Sequence, residues 1–217
     1  MKDIDTLLFD CDGTLIDTYD IILTSMRHTV NGLLEQSRSD EELMRGVGTP
    51  LADQMLYFLD GDEARVEEIV ELYRQHNDSI HDESVRPFPD VKDALDELKD
   101  LGYKMGVITS KRHFMANRGL EICGIRDYFD VLIGSDDFPL HKPDAGPILE
   151  GCRLMGANPS NCAYIGDSPY DIQAANAAGC LSVAALWGMF EPDTLRSKDP
   201  CIEISSLGEL AGVLAAR

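Results

Sequence analysis

Apolar and polar positions follow two rhythms along this chain, and the first change comes early. Thr6-Leu7-Leu8-Phe9 is a short apolar run suited to a buried strand, and it stops abruptly at Asp10-Cys11-Asp12-Gly13-Thr14. Over residues 19–35 the apolar side chains Ile22, Met26, Val30 and Leu33 recur at close to helical spacing. A polar break at residues 36–39 precedes a short helix through Arg45 that Asp40 would cap. Pro50 is placed to open another helix, to about Phe58. After Asp60-Gly61-Asp62 a long helix runs towards Asp82. The pattern from Tyr19 to about Ser84 thus predicts helices only.

Beyond Arg86 the rhythm alternates. Pro87-Phe88-Pro89-Asp90 reads as a stiff connector, with Asp90 capping a helix to about Leu101. Strands are expected at Lys104–Ile108, Val131–Ile133, 163–165 and 181–186, with a weak one at Ile202–Ile204. Helices are expected at 112–123, from Asp144 or Ala145 to about Met155, at 170–178 with Gly179 ending it, and at 207–216. Alternating strands and helices predict an α/β, Rossmann-like core: a parallel sheet with helices on both faces. Residues 1–16 and 86–217 would form it, and residues 17–85 an all-helical insert above the sheet.

At 217 residues the chain suits one large domain, or a core carrying a smaller insert. No apolar run approaches the length that spans a bilayer. The six cysteines show neither a CxxC pair nor zinc-ligand spacing, and the start of the chain has no basic signal region. Both features predict a cytoplasmic protein without structural zinc. A formal charge of −20 disfavours nucleic acid and anionic membranes as partners. An anionic substrate would have to be drawn in by a metal or by a few placed cations. Oligomeric state stays open between monomer and homodimer.

In an open parallel sheet, ligands bind outside the carboxyl ends of the strands. Asp10 and Asp12 follow the first strand; at i and i+2 their side chains share a side and repel unless a cation lies between them. A carboxylate beside a metal is also a potential nucleophile. The alternative is an acidic turn with a helix cap. Thr109 and Ser110 follow the second strand, as an oxyanion cradle or as an ordinary N-cap. Lys142-Pro143 stands where a helix starts, a place that normally prefers anions, though such a lysine is usually surface. Asp167 and Asp171 straddle the turn after the next strand, as a metal ligand with its support or as a cap plus an exposed acid.

DCDGTLID, VITSK, Lys142-Pro143 and GDSPYD, in this order, resemble the four motifs of the haloacid dehalogenase superfamily, and the likeness spans essentially the whole chain. Within it the chain looks most like the phosphoglycolate phosphatase and pyrophosphatase branch, with a helical cap inserted after the first motif. The resemblance implies a Mg²⁺-dependent phosphatase acting on a small phosphorylated metabolite. In that scheme Asp10 is the nucleophile and Asp12 the general acid and base. Mg²⁺ would be held by Asp10, the backbone carbonyl of Asp12 and Asp167, with Asp171 behind. Thr109, Ser110 and Lys142 would hold phosphoryl oxygens. Residues 45–50 resemble the cap's substrate loop, where Arg45 would bind a carboxylate or second phosphate unless it is simply solvated. Thr18 and Tyr19 would line the entrance. Trp187-Gly188 resembles a loop near the site, core packing being the plainer reading. Residues 3–91 contain no lysine, which disfavours a phosphonoacetaldehyde hydrolase and the alternative of a phosphosugar mutase. A further alternative is a non-catalytic regulatory protein on the same fold.

Overall fold

A computed structural model describes residues 4–216. Residues 1–3 and 217, which the sequence assigns to the core, lie outside the described residues. The sheet is built around β1 (Thr6–Phe9), whose side chains point alternately to the two faces. Leu7 and Phe9 enter one apolar cluster and Leu8 the other. The remaining strands of the sheet are β4 (Lys104–Ile108), β5 (Val131–Ile133), β6 (Cys162–Gly166), β7 (Leu181–Ala185) and β8 (Ile202–Ile204). Their order is β5-β4-β1-β6-β7-β8, and every pairing is parallel.

One face is covered by α5 (Val91–Asp100), α6 (His113–Ile122) and α10 (Leu210–Ala215), through Leu95, Leu98, Leu120 and Leu210. The other is covered by α7 (Gly146–Leu154) and α8 (Pro169–Ala178), through Ile148, Cys152, Ala174 and Ala175. Burial on both faces explains why these strands read as continuous apolar runs. Cys152, Cys162 and Cys180 meet in the second cluster as free thiols, acting as small hydrophobes.

The insert comprises α1 (Tyr19–Met26), which widens into a π-type segment over Arg27–Leu33, then α2 (Asp40–Met44), α3 (Leu51–Phe58) and α4 (Val66–Ser84). Leu23, Met26, Val30, Leu43, Met55, Phe58 and Tyr73 give it an apolar core of its own. The chain enters and leaves it through β2 (Ile16–Asp17) and β3 (Arg86–Pro87), paired antiparallel. These two-residue strands, like the single turn α9 (Pro192–Arg196), are too short to leave a period in the sequence.

Two expected caps move. Ser39, not Asp40, caps α2: its Oγ accepts from the Glu42 N–H at 3.3 Å, and Glu42 Oε2 accepts from the Ser39 N–H at 3.0 Å. Asp40 lies in the first turn and pairs with Arg27. Asp90 makes no capping bond to α5; its carboxylate accepts instead from the Gly208 N–H at 2.9 Å, tying α5 to the C-terminal segment. No helix among the described residues is long and apolar enough to cross a membrane.

Candidate active site

Strand register assembles the site. Phe9 lies beside Val107 on one neighbour and Ile165 on the other, so the three central strands end level. Asp10 continues that ladder, its N–H donating to the Ile165 carbonyl at 2.9 Å. Asp10, Asp167 and Asp171 therefore converge, each buried, with one carboxylate oxygen of each within 4.8 Å of the others.

Lys142 is their counter-charge. Although it neighbours a proline, its side chain is buried, with Nζ 3.0 Å from Asp10 Oδ1 and 2.6 Å from Asp171 Oδ1. Nζ also donates to Tyr164 Oη at 3.1 Å, and that hydroxyl donates to the Ile108 carbonyl at 2.8 Å. Burial pulls the Lys142 pKa down, but the carboxylates of Asp10 and Asp171 outweigh it and hold the ammonium well above its ordinary value. Asp171 is no exposed acid. It closes a capping box on α8, accepting from Ser168 N–H at 3.0 Å and Ser168 Oγ at 2.7 Å.

Asp167 is held from two sides. Thr14 Oγ1 donates to Oδ1 at 3.0 Å and the Met189 N–H to Oδ2 at 2.7 Å. Gly13 and Gly188 press against it so closely that a Cβ at either position would come within 2.2 Å of its atoms. The Trp187-Gly188 loop thus packs on the site itself, with Trp187 Nε1 donating to the Thr14 carbonyl at 3.1 Å.

Burial, joined by repulsion from Asp171 and Asp12, lifts the Asp10 pKa to about 7 against the pull of Lys142. Burial, then Asp171 and Asp10, raise Asp167 well above the carboxylate range. Three carboxylates here face one ammonium, and Asp10 Oδ1, for all its closeness to Lys142, has no aligned hydrogen bond among the described residues. An all-oxygen donor set with surplus negative charge fits a hard divalent cation.

Asp12 lies apart from that cluster. Its Oδ1 accepts from Lys111 Nζ at 2.8 Å and from Thr18 Oγ1 at 2.9 Å. Asp10, Asp12, Thr109, Ser110 and Asp167 all line a cavity of about 470 Å³ between sheet and insert, within the usual range for a small-ligand site. Ser110 Oγ donates to the Gly48 carbonyl at 2.7 Å, joining the core to the insert. Thr18 lines the cavity, whereas Tyr19 is exposed and does not.

Arg45 does not line it either. Its neighbours Leu43, Met44 and Val47 point into the insert core, which leaves Arg45 exposed to solvent, and the loop reaches the cavity through residues 47–50. The arginine that the insert does present to the cavity is Arg74, on α4.

The family model for haloacid dehalogenase-like hydrolases matches residues 7–185. The chain belongs to this family. As a haloacid dehalogenase-like hydrolase it is 40% identical over 197 residues to a Clostridium perfringens protein provisionally named pyrophosphatase PpaX, covering 91% of each chain. It is 32% identical over 212 residues to pyrophosphatase PpaX of Bacillus cereus, covering 98% of this chain and 97% of that one. A Bacteroides fragilis structure, provisionally described as a haloacid dehalogenase-like hydrolase, superposes with a TM-score of 0.89 at 30% identity, over 96% of this chain and 100% of that one.

Several residues of this haloacid dehalogenase-like hydrolase escape sequence reasoning. Lys111 directly follows the two hydroxyl residues of the second motif, a signal that was available. Thr14 lies inside the first motif and Arg112 directly follows the second. Arg74 carries no local signal, because only packing decides which face of α4 looks into the cavity.

Proposed function

We propose that the protein is a Mg²⁺-dependent phosphatase that hydrolyses a small phosphorylated metabolite, a phosphoglycolate-like ester or pyrophosphate. The observation that carries this reading is the convergence of Asp10, Asp167 and Asp171 with Lys142, where Asp10 and Asp167 open onto a cavity that also presents Asp12 while Asp171 and Lys142 stand behind them. The names of the PpaX relatives support the same class of substrate.

Asp10, Asp167 and the backbone carbonyl of Asp12 would hold the ion, with Asp171 behind them. The bound ion supplies positive charge against the phosphoryl oxygens and the developing transition state. The Asp10 carboxylate attacks phosphorus, forming an aspartyl phosphate as the bond to the leaving oxygen breaks. Asp12, held by Lys111 and Thr18 on the cavity wall, gives its proton to that oxygen. It then takes a proton from the water that attacks the aspartyl phosphate, releasing inorganic phosphate and restoring Asp10. Lys142 favours the anionic form of Asp10 and orients it, and Thr109 lines the space for the phosphoryl oxygens.

The test is release of inorganic phosphate from p-nitrophenyl phosphate and from pyrophosphate. Activity should require Mg²⁺, stop with a chelator and vanish in Asp10→Asn. Full activity in that variant, or without divalent metal, would overturn the reading.

A further inference from the structure

The chemistry above leaves two cations of the cavity without a task. Arg74 extends from α4 of the insert, and Arg112 stands just before α6 of the core; both line the same space as Asp10 and Asp12. Arg112 reaches Asp78, which stands one turn beyond Arg74 on α4, so the two arginines border the same part of the cavity. Burial first, and then the Arg112 charge, lower the Arg74 pKa, with Glu71, Asp78 and Asp136 offsetting part of the effect.

Their existing partners are few. Arg112 reaches Asp78 Oδ2 at 3.4 Å, long for a charged hydrogen bond. Arg74 is half-buried and makes no hydrogen bond or ion pair with any described residue. An arginine that merely covers apolar surface sends its head to solvent. Here one guanidinium from each side of the cavity borders the same space, and one bound anion would accept from both. The planar, fork-like donors of arginine suit phosphoryl and carboxylate oxygens, which accept two parallel hydrogen bonds.

We propose that Arg74 and Arg112 together form a subsite for a second anionic group on the substrate. The preferred substrates are then phosphate esters or anhydrides that carry another phosphoryl or carboxylate group beyond the reacting phosphorus. Because one arginine belongs to the insert and the other to the core, such a substrate also fastens the insert over the site. Neither arginine touches the reacting atoms; both determine specificity. The inference rests on the phosphatase reading and adds to it the feature by which substrates are chosen. It also gives the anion-binding role expected of Arg45 to residues that line the cavity.

The test compares kcat/KM on three substrates in Mg²⁺: pyrophosphate and 2-phosphoglycolate, which carry a second anionic group, and p-nitrophenyl phosphate, whose tail is neutral. In Arg74→Met and Arg112→Met the ratio of kcat/KM on either doubly anionic substrate to that on p-nitrophenyl phosphate should fall at least about tenfold, mostly through KM, as expected for one lost charged hydrogen bond. Arg74→Lys should recover part of the ratio, and it keeps the test open if Arg74→Met folds poorly. An unchanged ratio, or parallel losses on all three substrates, overturns the subsite. A wild-type enzyme active on p-nitrophenyl phosphate but no better on the doubly anionic substrates overturns the subsite alone. A wild-type enzyme inactive on all three overturns the phosphatase reading and the subsite with it.

Discussion

Lys142 Nζ lies 2.6 Å from Asp171 Oδ1, with both side chains closed off from solvent, and the same ammonium stands 3.0 Å from Asp10 Oδ1. One buried cation therefore joins the first strand end to the capping box of α8. Such a group is structural as well as chemical.

Lys142→Met tests the structural half. Removing one partner of a buried ion pair typically costs about 3–5 kcal/mol, because the remaining charges are left uncompensated. In metal-free buffer the variant should show a urea midpoint lowered accordingly, with the slope of the transition unchanged. An unchanged midpoint would mean that the carboxylates do not depend on Lys142 for stability.

The Asp167 wall makes a separate prediction about metal. A ligand that binds only the folded state at a hundred times its Kd stabilises it by about 2.7 kcal/mol. Mg²⁺ should therefore raise the Tm of the wild-type protein and fail to raise that of Asp167→Asn. Gly13→Ala should behave similarly, since Gly13 has φ +80° and an added Cβ would meet Asp167 Oδ2 at 2.2 Å. A normal Mg²⁺ shift in both variants would place the metal elsewhere.

What the sequence discloses and what it hides divide along physical lines. β1 is legible because a strand buried on both faces must be apolar at every position. Asp10, Thr109 and Asp167 are legible because each ends an apolar run and the ends of parallel strands open onto one crevice, whereas Lys142 follows a polar segment after β5 and is marked only by its motif. The residues alone leave Asp171 open between support for a metal site and an exposed acid, and only the resemblance sets it behind Asp10 and Asp167. Asp12 and Asp171 look alike in one dimension, yet Asp12 is drawn to Lys111 and Thr18 while the capping box holds Asp171 inside. Arg45 and Arg74 differ only in the direction their helices turn them, which the insert core decides. The exchange of Asp40 for Ser39 as cap is a one-residue matter: Glu42 stands three residues after Ser39, and only that spacing lets the bonds close in both directions.

His81 provides the pH prediction. Its side chain is inaccessible to solvent, with Nδ1 3.1 Å from Asp82 Oδ1 and Nε2 without a partner among the described residues. Burial, and then the positive charge of Lys111, hold its pKa below the ordinary 6.5, with Asp82 and Asp12 opposing. The unfolded chain thus binds a proton at a pH where the folded one does not. The contribution is complete above 6.5 and is lost as pH falls through the lowered folded value. Urea unfolding at about pH 7.5 and about pH 5.5 should show a loss in the wild type that is smaller in His81→Leu. Equal losses in the two proteins would remove His81 as a source of the acid sensitivity.

Ser110 separates two roles for one hydroxyl. Its Oγ–H donates to the Gly48 carbonyl at 2.7 Å, so in this arrangement the proton that could bind a phosphoryl oxygen is already committed to the insert. A neutral hydrogen bond of this kind contributes about 0.5–1.5 kcal/mol, whereas one to a charged group contributes about 1.5–3. If Ser110 acts as a latch between core and insert, Ser110→Ala should change KM by only about 2- to 10-fold. It should also speed amide exchange in the β2–β3 ribbon, through which the chain enters and leaves the insert. Substrate should restore protection in the variant, because contacts across the cavity close the insert from the other side. A loss in kcat/KM on the order of a hundredfold, with amide exchange unchanged, would instead assign the hydroxyl to the phosphoryl group, since only a charged acceptor could account for an effect that large.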